Sequence, residues 1–311
     1  MSGQELSTTK AWLIAARPQT LPAAAAPVFV GTGLAWNHGV FALWPAIAAL
    51  VGAALIQIGT NFANDYYDAI QGADTDDREG FTRVTQAGLI APPRVKRAAY
   101  LTFAAAMLVG TYLVYEGGLP ILVIGLLSVA SGIAYTGGPY PLGYHGLGDL
   151  FVFVFFGLIA VTGTYYVQAA AVLAAPFPLG IPPGTVPVEA IVASLPIAAL
   201  ATNILVVNNV RDREEDRRTG KRTLAVRFGY GFSRVQFAGL VVLAYVVPVW
   251  FWLETPHSIA TVLPLVTIPL AALVTRTIFT ETAGAALNPA LERTGQLLAA
   301  YAILFGVGLA V

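Results

Sequence analysis

Residues 18–64 contain no Asp, Glu, Lys or Arg, and further uncharged runs cover 98–115, 117–148, 150–188, 190–210, 235–253, 255–275 and 294–311. A helix needs about 20 apolar residues to cross a bilayer, and its backbone polar groups must bond within the segment because the hydrocarbon offers no water. Runs this long and this numerous predict an all-α polytopic membrane protein. With Gly and Pro as dividers, about nine transmembrane helices are expected, near 11–35, 42–67, 97–116, 119–136, 148–173, 188–210, 234–254, 258–279 and 294–311. A soluble chain is excluded by proportion: 57% of the 311 residues are apolar and 11% are charged, where soluble domains carry roughly 25% charged residues. Arg17-Pro18 interrupts the first apolar run and no cleavage-like site follows cleanly. The first helix is therefore expected to stay as an anchor rather than leave as a signal peptide.

The scarce charges are one-sided. Placed on nine helices, all 17 Lys and Arg residues fall on the same side of the membrane as the N-terminus. The positive-inside rule puts that side, with its charged loops, in the cytoplasm and makes the chain a multi-pass protein of the cell membrane. The 17 basic residues are matched by 17 acidic ones, so no basic surface points to nucleic acid. The absence of cysteine excludes disulfides, thiolate metal sites and thiol catalysis. Residues 1–311 are read as a single integral-membrane domain.

Charge is also concentrated. The stretches 65–97 and 211–234 hold 13 of the 17 basic and 10 of the 17 acidic residues. The second helix ends in Asn61-Phe-Ala-Asn64-Asp65-Tyr-Tyr-Asp68, followed by Asp74, Asp76, Asp77 and Arg78; the sixth ends in Asn208-Asn209-Val-Arg211-Asp212-Arg-Glu-Glu-Asp216, followed by Lys221 and Arg222. Asn61, Asp65 and Asp68 share one helical face, as do Asn208, Asp212 and Asp216. Like charges at that spacing repel unless a cation sits on the face. Oxygen ligands without Cys or His suit Mg²⁺, which takes one or two carboxylates and completes its shell with water and phosphate oxygens. Two such clusters facing each other would clamp a diphosphate. The recurrence of Asn61/Asp65 in Asn208/Asp212 hints at an internal repeat of helices 1–4 and 5–8.

Here the residues match a family. Asn64-Asp65-Tyr66-Tyr67-Asp68 and Asp212-Arg-Glu-Glu-Asp216 resemble the Asn-Asp-x-x-Asp and Asp-x-x-x-Asp motifs of the UbiA superfamily of intramembrane prenyltransferases. Arg17-Pro-Gln-Thr-Leu-Pro22, Gly72-Ala-Asp74, Arg83-Val-Thr-Gln-Ala-Gly-Leu89, Tyr135-Thr-Gly-Gly-Pro-Tyr-Pro141, Gly148-Asp149 and Gly220-Lys-Arg-Thr-Leu-Ala-Val-Arg227 are similar to one branch. That branch is the 1,4-dihydroxy-2-naphthoate polyprenyltransferases of menaquinone synthesis. Gly72 stands where many superfamily members carry a further Asp, and Asp74 is the nearest acid.

The resemblance implies a UbiA-like bundle with its active site at the cytoplasmic end. Mg²⁺ would be held among Asn64, Asp65, Asp68, Asp74, Asp212 and Asp216. A polyprenyl group would pass from an allylic diphosphate to the naphthoate with loss of diphosphate and CO₂. Arg78, Lys221 and Arg222 would add donors to phosphate, and Arg17 would pair with the acceptor's carboxylate. Tyr135 and Tyr144 belong to a set of tyrosines whose π faces would stabilise a cation. Asp149, isolated between long uncharged runs, is a candidate site residue by default; its plainer role is a helix N-cap. The expected partners are the two substrates and the bilayer, with no obligate protein partner inferred. Competing readings are a prenyltransferase for 4-hydroxybenzoate, homogentisate or haem, and a secondary transporter. The carboxylates' place at helix ends on one side disfavours the transporter, whose ion sites belong near the midplane.

Overall fold

The computed structural model describes residues 7–70, 83–135, 137 and 140–311. Among them every regular element is helical. The helices are α1 (Thr8–Ala16), α2 (Leu21–Asn37), α3 (Leu43–Ile70), α4 (Pro92–Ala134), α5 (Gly148–Leu173), α6 (Val188–Arg211), α7 (Arg213–Arg218), α8 (Leu224–Glu254), α9 (Ile259–Thr280) and α10 (Gly284–Ala310). Seven of them (α3–α6 and α8–α10) are long and apolar enough to cross a bilayer.

Two further passes come from α2 and from a reversal inside α4. At Gly118 the backbone leaves the helix with φ 65° and ψ −150°. A side chain there would put its Cβ 1.8 Å from the Pro178 carbonyl oxygen. The reversal is tied down by Leu119 N–H to Pro178 O (3.0 Å) and Phe177 N–H to Tyr115 O (2.8 Å). That the two arms run side by side follows from Phe103, whose ring lies against both Gly59 of α3 and Gly132 of the returning arm. Together with the seven long apolar helices, α2 and the second arm of α4 bring the described residues close to the about nine passes expected from the uncharged runs.

Three boundaries differ from the hydropathy reading. The run expected as one helix from 11 to 35 is broken into α1 and α2, with Arg17 left-handed at φ 51°. Pro18 disfavours helical backbone at the preceding residue. The helical run leading into the seventh pass starts at Leu224 and breaks at Gly229 (φ 81°, ψ 178°) before continuing to Glu254, and the last pass begins at Gly284 rather than 294. The stretches ahead of the expected starts carry Arg227, Glu292 and Arg293. Outside the hydrocarbon a helix need not be apolar, so hydropathy reports the membrane boundary and not the end of the helix.

α6 runs through the middle of the bundle against α2, α5, α8 and α10. Ala193, Ile197, Ala198 and Leu200 on it are fully buried. Small residues let the backbones close: a Cβ at Gly157 of α5 would lie 2.1 Å from that of Ala198, the close approach that membrane bundles use in place of a hydrophobic driving force. The turn after α6 and the end of α3 are thereby brought to the same end of the bundle.

At the opposite end, His38 and His257 tie two loops together, with ring centroids 6.0 Å apart. His38 Nδ1 shares a 2.9 Å hydrogen bond with the Tyr165 hydroxyl, and His257 Nδ1 one of 2.9 Å with Thr255 Oγ1. Burial lowers the pKa of each; Glu189 opposes the shift at both, and His38 adds to it at His257. A His lowered by folding binds protons less readily in the folded than in the unfolded state. Its contribution is present above about pH 6.5 and is lost as pH falls through the folded value. Melting temperature in detergent should fall between pH 7.5 and 5, and a His38→Gln/His257→Gln double variant should flatten that slope. An unchanged slope in the double variant would assign the acid sensitivity elsewhere.

Candidate active site

The last turns of α3 carry two polar stripes that do different work. Asn61 and Asp65 grip main chain. The Asn61 amide donates to Ala16 O and to Thr20 Oγ1, both at 2.9 Å, and so holds the Arg17 turn. The Asp65 carboxylate accepts the backbone N–H groups of Val84 and Thr85, both at 3.0 Å, and is completely buried. Asn64 and Asp68, also four apart, face the interior of the site. Asn64 lines a cavity, and Asp68 accepts Arg83 Nη2 at 2.6 Å and the Tyr144 hydroxyl at 2.9 Å. Carboxylates at a helix C-terminus oppose the helix dipole, so a cation such as Arg83 is required electrostatically.

The second segment repeats the pairing. Arg211 Nε and Nη2 hold Asp212 at 2.6 and 2.8 Å in a bidentate fork, and the same guanidinium reaches Asn208 (2.7 Å) and Asn288 (3.1 Å). Asp216, on the short helix α7, lies 3.9 Å from Lys221 Nζ.

The two segments meet across Tyr144. Its hydroxyl is on Asp68, while Lys221 Nζ sits 4.8 Å from its ring centroid. A continuous chain, Asp68–Tyr144–Lys221–Asp216, therefore joins the two carboxylate motifs. The loop bearing Tyr144 is docked through its carbonyls: the Arg222 backbone N–H donates to Tyr144 O (2.8 Å) and the Arg227 side chain, through Nη2, to His145 O (3.0 Å). The Arg222 side chain is exposed. Burial, then the charge of Asp68, pushes the Tyr144 phenol well above its ordinary range, so it stays a hydrogen-bond donor. Tyr135 is likewise raised, by burial first and then by the converging fields of Asp149, Asp68 and Asp216.

Tyr135 also marks where the site meets a cavity of about 730 Å³ enclosed by α2, α3, α4 and α5. Its polar end is Gln57, Thr60, Asn61, Asn64 and Tyr135; its far end is Leu113, Val114, Ile121 and Ile124. Met107, Leu108, Leu122 and Leu126 line it and are themselves exposed, so it opens along α4 toward lipid. Beside it, the Tyr135 hydroxyl lies 2.9 Å from where a Cβ at Gly148 would stand. The next residue, Asp149, is buried and accepts Asn209 Nδ2 at 3.1 Å and Gln236 Nε2 at 2.6 Å.

Of the residues singled out in the sequence, the structure brings Asn64, Asp68, Tyr135, Tyr144, Asp216 and Lys221 to one place, with Asp212 and Asn208 adjoining through Arg211. Arg17 is buried at the break between α1 and α2. Asp74, Asp76, Asp77 and Arg78 lie outside the described residues. Sequence reasoning did not assign Arg83, Arg211, Asn209 or Gln236 to the site. Arg83 heads a quoted motif and Arg211 abuts another, so both had a signal; Gln236 had none. Among the described residues no three His, Cys, Asp or Glu side chains converge to cage a metal. Mg²⁺ keeps water and phosphate oxygens in its shell and takes only one or two protein carboxylates. Asp68 and Asp216, on either side of Tyr144, supply hard oxygen donors of the right kind.

The family model described as UbiA prenyltransferase family matches residues 24–306. The chain is 39% identical to the 1,4-dihydroxy-2-naphthoate octaprenyltransferase of Escherichia coli (strain K12), over 99% of this chain and 98% of that protein. It is also 39% identical to the protein of the same name from Mycobacterium tuberculosis (strain ATCC 25618 / H37Rv), over 96% of each. Among solved structures, a UbiA homolog from Archaeoglobus fulgidus bound to GPP and Mg²⁺ superposes with a TM-score of 0.65 at 16% identity. That match covers 96% of this chain and 99% of the other, and it speaks to the fold.

Proposed function

The chain belongs to the UbiA prenyltransferase family, and from that premise we propose how it transfers a polyprenyl group from an allylic diphosphate to 1,4-dihydroxy-2-naphthoate in menaquinone biosynthesis. The observation that carries the reading is the Asp68–Tyr144–Lys221–Asp216 chain at the mouth of an apolar cavity. It supports a diphosphate site among these acids and bases, beside an apolar slot that would take a hydrocarbon tail.

Asn64, Asp68, Asp212 and Asp216 would hold Mg²⁺, and the metal, when bound, supplies Lewis-acid neutralisation of the leaving diphosphate oxygens. Lys221 and Arg83 would donate to the same oxygens. As the allylic C–O bond breaks, Tyr135 presents its ring to the carbon left positive, at the junction of tail cavity and clamp. The buried apolar walls keep water from that carbon. The acceptor's carboxyl-bearing ring carbon then forms the new C–C bond, and the C–CO₂ bond breaks with its electron pair returning to the ring. Charge balances without a proton being taken from the ring: carboxylate and prenyl diphosphate go to prenylated ring, CO₂ and diphosphate. Arg17 is our choice to hold the acceptor's carboxylate.

The one-sided basic residues support a multi-pass protein whose charged end faces the cytoplasm. The assay that tests the function supplies purified protein with an allylic polyprenyl diphosphate, Mg²⁺ and either 1,4-dihydroxy-2-naphthoate or 4-hydroxybenzoate. The expected result is demethylmenaquinol with one CO₂ released per product. Prenylated hydroxybenzoate without any naphthoate product would replace this reading.

A further inference from the structure

We propose that Asp65 is a positioning residue: it fastens the turn at 83–90 onto the end of α3, so delivering Arg83 to Asp68, and is not itself a metal ligand. The two consecutive N–H groups of Val84 and Thr85 converge on its carboxylate at 3.0 Å each. This is the geometry by which a capping acid satisfies the orphan donors at the start of a turn. The turn then closes on itself through Ala87 N–H to Arg83 O (2.9 Å), Gly88 N–H to Thr85 O (3.2 Å) and Leu89 N–H to Val84 O (2.9 Å).

Burial supplies the second half of the argument. Asp65 is 0% exposed, and Val84 beside it is also 0% exposed. Mg²⁺ sheds water reluctantly, and no hydrated ion reaches this carboxylate without evicting the turn. Asp68, one turn further along α3, instead directs its oxygens at Arg83 and Tyr144, the groups that line the clamp. The Asn61–Asp65 stripe therefore organises main chain, and the Asn64–Asp68 stripe carries the chemistry. Arg83 is the first residue of the fastened turn, so its place on Asp68 depends on Asp65 even though the two acids do not touch a common group.

The role in catalysis rests on the function proposed above; the fastening does not, and the test separates them. In metal-free, substrate-free full-length protein, hydrogen exchange of the Val84–Ile90 backbone should accelerate at least about tenfold in Asp65→Asn. The amide can accept one N–H but turns its own N–H₂ toward the other. Asp68→Asn should leave exchange of Val84 and Thr85 unchanged. Gly88→Val strains the same turn from its far end, where φ is +68°, and should reproduce the Asp65→Asn exchange pattern without altering any carboxylate.

The Mg²⁺ concentration for half-maximal binding of an allylic polyprenyl diphosphate should stay within about threefold of wild type in Asp65→Asn and Gly88→Val, and should rise at least about tenfold in Asp68→Asn. Unchanged exchange of the Val84 and Thr85 amides in Asp65→Asn would overturn the fastening role. A Mg²⁺ requirement raised as far as in Asp68→Asn would make Asp65 a ligand. Failure of every form to bind the diphosphate would count against the proposed function while the exchange result still decides the fastening.

Discussion

Asp68→Asn is expected to lower prenyl transfer by about 10²–10³-fold or more, while the protein still inserts and melts within a few degrees of wild type. The substitution keeps the side chain's shape and removes the negative charge that Arg83 and Tyr144 both address. With a neutral amide at 68, the guanidinium at 2.6 Å loses its charged partner. The clamp also loses one of the two carboxylates that flank Tyr144. The loss should appear in kcat rather than in affinity for the naphthoate, because the charge that matters grows on the diphosphate as the C–O bond breaks. Single-turnover assays with pre-bound diphosphate and Mg²⁺ would measure it directly. Transfer within tenfold of wild type would remove Asp68 from the centre of the mechanism.

The second large effect concerns the bundle itself. Gly33 of α2 and Gly306 of α10 bring two backbones together so closely that a Cβ at 33 would sit 2.1 Å from the Gly306 carbonyl oxygen and 2.8 Å from its carbon. Both obstacles are backbone, so no rotamer change relieves the contact; the helices must move apart. Overpacking a membrane interface of this kind costs about 1–3 kcal/mol or more, and the seam it opens adjoins the fully buried Leu34, Tyr301 and Phe305. Gly33→Ala should therefore reduce folded yield and lower the melting temperature by several degrees or more. Gly239→Ala, where the added Cβ meets nothing within 4 Å, should be neutral or slightly stabilising, since alanine favours helix over glycine. Equal behaviour of the two variants would mean that α2 and α10 are not in contact there.

The candidate site was only half legible in the chain. Asp65 and Asp68 are both acids in the same motif, and helical spacing groups Asn61 with Asp65 as readily as Asn64 with Asp68. Which stripe faces the clamp depends on where residues 83–85 and 144 lie, and neither position follows from periodicity within α3. Asp149 stood out as a lone charge, yet its holders, Asn209 and Gln236, come from α6 and α8 and are unremarkable in sequence. Arg17 was conspicuous at the start of a span; that it breaks the helix is local, a consequence of Pro18, while its burial is not.

Sequence alone determined that the chain is a bundle of membrane-spanning helices and which two segments hold the acids. Those properties are local: the cost of a charge in hydrocarbon and the reach of a helix act on each stretch separately. Only tertiary structure decided that Tyr144 joins Asp68 to the Lys221–Asp216 pair, that Arg83 and Arg211 sit on their respective acids, and that the tail cavity ends at Tyr135. Those contacts join residues from different helices, and their geometry is set by how closely small residues such as Gly33, Gly157 and Ala198 let the backbones approach.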